Sequence, residues 1–269
     1  MTVLLGLLIS VGLILGSVIM DGDNPAELIG VSAAMIVIGG TFGAVVTQFG
    51  VSRALVAVKA VLALLKPAKT DIQAFIGAIA DWSNLARSQG SLALETVLGK
   101  TPDPLQQKGL QMIIDNTTQE DLRSIFKILS DNDFRKDMMA SEFFEAAGGY
   151  APTIGVLGAV LGLIHVMTRL DHPDQLGSGI ATAFVATVYG VGFANMVFLP
   201  LGARLAAFAE SRRRERQIVI QGFMLLAEGK SGTLIRQNLQ SFVPEPAPKA
   251  GRKGSADDST LGAAAGQAA

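Results

Sequence analysis

Of 269 residues, 49% are hydrophobic and only 17% charged, against about 25% charged in an ordinary soluble domain, so lipid is the solvent this composition suits. The absence of cysteine excludes a disulfide framework and a thiolate site, and two histidines, His165 and His172, are too few for a zinc cluster. A formal net charge of −1 says nothing about nucleic acid, because the charges are segregated: no Lys or Arg precedes Arg53.

Four apolar runs approach the roughly 20 residues that cross a hydrocarbon core of about 30 Å. The first, residues 1–20, lacks the basic start and the Ala-x-Ala end of a secretory signal, so it reads as a retained helix. The connector "DGDNPAE" leads to the second run at 28–49. Arg53, Lys59, Lys66 and Lys69 then open the segment 50–150, where "DIQAFIGAIADWSNLARSQGSLALETVL" places Ile72, Phe75, Ile76, Ile79, Trp82 and Leu85 on one helical face. "DPLQQKGLQMIIDN" and "EDLRSIFKIL" repeat that spacing, and no stretch alternates with period two for long enough to predict a strand. The third run, 151–170, and the fourth, 178–202, are joined through "DHPDQLG" and followed by Arg204 and "RRRER" at 212–216 on a C-terminal helix predicted over 203–243. The remaining 244–269, rich in Pro, Gly, Ala and Ser, lacks the apolar side chains that offset ordering entropy and reads as disordered.

Basic flanks stay in the cytoplasm. Both connectors lack Lys and Arg, whereas 50–150 and the residues after 202 are rich in them, so both termini are expected inside. Arg169 is the one dissenter, with Asp171 as a neighbour to pair it. The expected fold is an all-α membrane protein with four transmembrane helices and a large helical cytoplasmic insertion between helices 2 and 3.

The third span carries Pro152, Gly155, Ala159 and Gly162 at steps of three, four and three, and the fourth carries Ala183, Thr187, Gly190 and Ala194 at steps of four, three and four. Small residues let backbones approach closely in lipid, where association depends on packing and interhelical hydrogen bonds. One reading is simple tight packing. The other is a polar-capable seam, with the Thr187 hydroxyl and a carbonyl freed by Pro152. No Asp, Glu or Lys lies inside any span, and ion movement through lipid normally needs an ionisable group there. If ions pass, a partner must bring the charge. His165 lies off the small stripe and reads as an interface-level histidine; His172 falls in a connector.

These residues resemble the MotA/PomA flagellar stator family, most closely its MotC-type branch. The likeness covers residues 1 to about 240 and is strongest in "GGYAPTIGVLGAVLGLIHVM" and "GSGIATAFVATVYGVGFANMVFLP", with "PDPLQQKGLQMIIDN" and "ARSQGSLALE". It implies a homo-oligomeric ring, thought to be a pentamer, in the bacterial inner membrane. The ring surrounds a MotB-like, single-span, peptidoglycan-binding partner whose aspartate carries the ion, and it passes torque to the rotor protein FliG. By resemblance, Pro152 and Pro200 are the two functional prolines, and Pro152, Ala159, Thr187 and Tyr189 line the ion path. Gly155, Gly162, Ala183 and Gly190 would pack on the partner helices, and Arg87 and Glu95 would engage the rotor. Ser88, Thr96 and Leu98 stand where the family often has further charges, which thins that contact. Sodium-driven members tend to carry a threonine where this chain has Ala159, and a hard cation needs oxygen ligands, so proton coupling is expected. The related ExbB/TolQ energisers resemble a three-span layout with the insertion after span one, which fits less well. A transporter would want a charged or broken-helix site at mid-membrane, and no charged one is present. Without a P-loop or metal-ligand spacing the chain does not read as an enzyme, and no cofactor, metal or nucleic-acid partner is expected.

Overall fold

The computed structural model describes residues 2–65, 71–168, 170–171 and 173–243; Lys66, Lys69, Arg169, His172 and the 244–269 tail lie outside them. Every regular element among the described residues is helical. Helix α1 (Thr2–Met20) leads through a 3-10 turn (Pro25–Leu28) to α2 (Val31–Ala34), a wide π turn (Met35–Gly39) and α3 (Gly40–Phe49), which run on as one apolar rod. Gly50 ends the rod at φ 80°, a left-handed value that strains any side chain. Helix α4 (Val51–Leu65) turns back from there. Next come α5 (Ile72–Gln89), a 3-10 turn (Ser91–Leu94), α6 (Glu95–Leu98) and α7 (Pro104–Ile114). Two long rods complete the chain: α8 (Gln119–Met167), then α9 (Pro173–Gly192) continuing through a second π turn (Phe193–Phe198) into α10 (Leu199–Ala227), with α11 (Gly232–Gln240) last.

Local sequence sets where these helices start. Asp71, Asp103, Thr118 and Ser231 accept the backbone N–H of Ala74, Gln106, Asp121 and Leu234 respectively, each cap contributing about 1 kcal/mol.

The 49 residues of α8 rise about 1.5 Å each and so reach about 70 Å, more than twice a hydrocarbon core. One end must therefore emerge from lipid. The emergent ends of α8 and α10 join α5, α7 and α11 around a core of Phe75, Ile79, Trp82, Phe126 and Phe223. Phe223 is fully buried, with ring centroids 5.8 Å from Phe126, 6.1 Å from Trp82 and 6.2 Å from Phe75. A second cluster, including Val45, Phe143, Ala151, Ala194 and Phe198, ties α3, α8 and the second π turn. A third, Ala33, Val37, Val185 and Ala186, binds the second span to α9.

The boundaries at 150 and 202 fall inside unbroken helices, because α8 and α10 carry the membrane-like stripe straight into the charged body. Among the described residues three helical stretches are long and apolar enough to cross a bilayer, Pro25–Phe49, Gln119–Met167 and Gly179–Ala227; the apolar part of α1, Leu5–Met20, is shorter. Helix α1 touches the rest of the chain mainly at the Pro25–Leu28 and Phe193–Phe198 turns and leaves Leu5, Leu8, Leu13 and Ile19 exposed.

Candidate functional site

The two small-residue stripes meet each other. A Cβ at Gly190 would sit 2.6 Å from the Ala151 carbonyl oxygen and 2.9 Å from Gly155 Cα, and one at Gly162 would sit 2.9 Å from Ala183 Cβ. Bare backbone on both helices is the condition for this contact. Gly155, Gly162, Ala183 and Gly190, expected to pack on a partner helix, all take part in the α8–α9 seam of this chain. The register also shifts by one residue. Gly158, whose Cβ would lie 3.0 Å from Ala186 Cβ, shares the buried stripe, while Ala159 is half-buried beside it.

Pro152 lies inside α8, where its missing N–H leaves the Gly148 carbonyl without its helical donor. A Cβ at Gly148 would lie 2.6 Å from Leu199 Cγ, so that freed turn packs against the residue next to Pro200. The turn freed by Pro152 thus meets the residue before Pro200, while Pro152 itself lies one helical turn further along α8. The π turn Phe193–Phe198 ends just before Pro200, which has no N–H for the Met196 carbonyl; a wide turn is the register in which such a proline fits.

Thr187 is half-buried, and among the described residues nothing bonds its hydroxyl. Tyr189 is differently employed. Its hydroxyl donates to the Leu28 carbonyl at 2.6 Å and accepts from the Gly30 N–H at 3.2 Å, so it braces the start of the second span; its place on an ion path has no support in these contacts. His165 lies seven residues, two helical turns, beyond Gly158 and lines a cavity with it. Off the stripe as first drawn, His165 is on the stripe as corrected.

Arg87, in the last turn of α5, and Glu95, at the start of α6, are both exposed on either side of a corner at Gly90, φ 86°. Neither is in an ion pair among the described residues, with each other or with a third group. Sequence reasoning missed the ion-pair ladder between α8 and α10. Arg212 Nη1 lies 3.0 Å from Asp137 Oδ1, Arg216 Nη1 3.0 Å from Asp137 Oδ2 and Arg216 Nε 3.7 Å from Asp133 Oδ2. The Arg216 Nη1–Asp137 Oδ2 contact is a close charge pair out of line for a hydrogen bond. Arg213 covers the Phe134 ring at 4.4 Å. The i, i+4 spacings of Asp133 with Asp137 and Arg212 with Arg216 were the available signal. Ser141, fully buried, also joins the rods by donating to the Gly202 carbonyl at 2.8 Å.

Residues 99–218 match the profile of the MotA/TolQ/ExbB proton channel family. Motility protein A of Bacillus subtilis (strain 168) is 30% identical over 244 residues, 90% of each chain. This chain belongs to the Motility protein A family. Two solved structures that share the family's name share the fold: that of Campylobacter (C. jejuni) MotAB, with a TM-score of 0.83 at 26% identity over 92% of this chain and 97% of that one, and that of the flagellar MotAB stator complex from Bacillus subtilis, 0.79 at 29% over 90% and 95%. The family is one of ion channels, so the α8–α9 seam belongs to a transport device and not to an enzyme.

Proposed function

We infer that this Motility protein A family member is an ion-conducting stator subunit of the flagellar motor, turning proton flow into torque. One observation carries the reading. Two rods, α8 and α9 with α10, are packed backbone to backbone where the chain is apolar, each bear a proline, and run on into a charged body that displays Arg87 and Glu95. Force generated in lipid thereby reaches the rotor side along two stiff levers.

The four-span arrangement, with α1 as the first span, 50–150 inside and both termini cytoplasmic, follows from the basic residues flanking the apolar runs. The channel is completed by a MotB-like single-span partner, around which several copies, five by family resemblance, form a ring that engages FliG. The partner's carboxylate supplies the charge absent from these spans. Protonation neutralises it and cuts the cost of facing an apolar wall. Thr187 offers that carboxyl an uncommitted hydroxyl, and Ala159 withholds the oxygen that sodium would want. The seam at Gly148, Pro152, Leu199 and Pro200 is where α8 and α10 shift as the charge comes and goes. Each charge transferred is worth about 2.3 kcal/mol per 100 mV.

The test is swimming speed with the two gradients dissipated separately. A protonophore stops rotation, and replacing external sodium leaves speed unchanged; the reverse result overturns proton coupling.

A further inference from the structure

A cavity of about 580 Å³ opens between the first turns of α2, the last turns of α8 and the first half of α9. Three polar side chains enter it: Ser32 from α2, Thr182 from α9 and His165 from α8. The rest of its wall is apolar side chain or bare glycine. Gly158 and Gly162, seven and three residues before His165, let α9 close against α8 at the base of the cavity. No other titratable or charged side chain among the described residues lines it from α2, α8 or α9; Asp171, exposed, follows the end of α8. A water takes about 30 Å³ of liquid and needs two to four polar partners. The room is sufficient for a file of waters, and the three side chains give it anchors.

We propose that this cavity is the hydrated outer mouth of the proton path, with His165 as its relay; this rests on the stator reading and on the orientation given above. Histidine suits the task because its two ring nitrogens exchange donor and acceptor roles. A proton from outer water joins the free ring nitrogen, and the other ring N–H releases one to water on the inner side. No charge is left on the ring and no water is consumed. The channel then has two stations of different chemistry: an imidazole of this chain that passes protons at the mouth, and the partner's carboxylate beside Thr187 further in.

The natural sequence has no cysteine, so single thiols report cleanly in the whole stator complex in cells. Ser32→Cys is expected to react with a membrane-impermeant thiosulfonate added outside, whereas Val37→Cys, fully buried, is not. If Ser32→Cys is protected, the groove is filled by lipid or a neighbouring subunit and the proposal falls; reaction only from the cytoplasmic side overturns it through the orientation. His165→Gln, which keeps a hydrogen-bonding side chain without the titrating ring, is expected to lower rotation speed at low load about tenfold, a modest share of what a positioned proton-transfer group supplies. Stall torque stays at the wild-type value, because uptake limits only fast turnover, whereas a merely structural role would lower both. Wild-type speed at low load from external pH 6 to 8 sinks the relay. Thr187→Val separates the two readings: should it swim normally, the stator path is wrong and not merely its mouth.

Discussion

At the scale of single residues, closeness and availability matter more than charge. Gly190 and Gly155 are present because backbone meets backbone there; Gly190→Val would drive a side chain into the Ala151 carbonyl and is expected to cost about 1–3 kcal/mol or more in packing. Loss of the detergent-stable complex, read by size-exclusion chromatography, checks this. Thr187 is half-buried, and its hydroxyl has no partner among the described residues. Thr187→Val is isosteric, so it is expected to leave insertion and assembly intact while stopping motility; normal swimming would remove the assignment. Arg87 and Glu95 stand on an exposed corner without an ion pair among the described residues. Charge reversal at either is expected to weaken torque while stator recruitment, counted by fluorescent foci, continues. In an ordinary exposed pair such a change is worth about 0–1 kcal/mol and leaves torque untouched.

Among elements, α8 and α10 are the levers, and their coupling is built at two levels. On the apolar side, Pro152 and Pro200 each remove one helical hydrogen bond, and the π turn before Pro200 is the register that absorbs the missing donor. Pro200→Ala restores an N–H for the Met196 carbonyl and is expected to straighten the junction. Motility falls while assembly remains, and exchange protection of the 193–200 amides rises by hydrogen–deuterium mass spectrometry. Further out, Arg216 and Asp137 lock the levers together, with side chains only 13% and 18% exposed. Arg216→Ala removes one of two arginines from a largely buried carboxylate and leaves Asp137 to Arg212; it is expected to destabilise the complex by about 1 kcal/mol, measured as a lower thermal midpoint, with Arg216→Lys recovering part of it.

Over the whole molecule, helix type, order and the body's apolar faces were legible before any coordinates. Ile72, Phe75, Ile76, Ile79, Trp82 and Leu85 do pack on or into one core, since a 3.6-residue period is a local property of the chain. Helix α4 was less legible. It lies in a segment that reads as soluble, yet exposes Val51, Leu55, Val58 and Leu62, a face needing lipid or another subunit. The orientation is open to direct measurement: with no native thiol, Asp23→Cys is expected to label from outside and Ser241→Cys only after permeabilisation. What the sequence by itself determined is that the chain belongs in lipid, that it is helical, and that its spans carry no acid or lysine, because solvent preference, periodicity and composition are written residue by residue. Only the tertiary structure decided which faces meet: that Gly158 and not Ala159 completes the stripe, that the stripes pack on each other, that Tyr189 braces the second span, and that His165 looks into a cavity. A helix has several faces that composition alone allows to be buried, and the choice among them is made by the partner helix, which the local sequence does not contain.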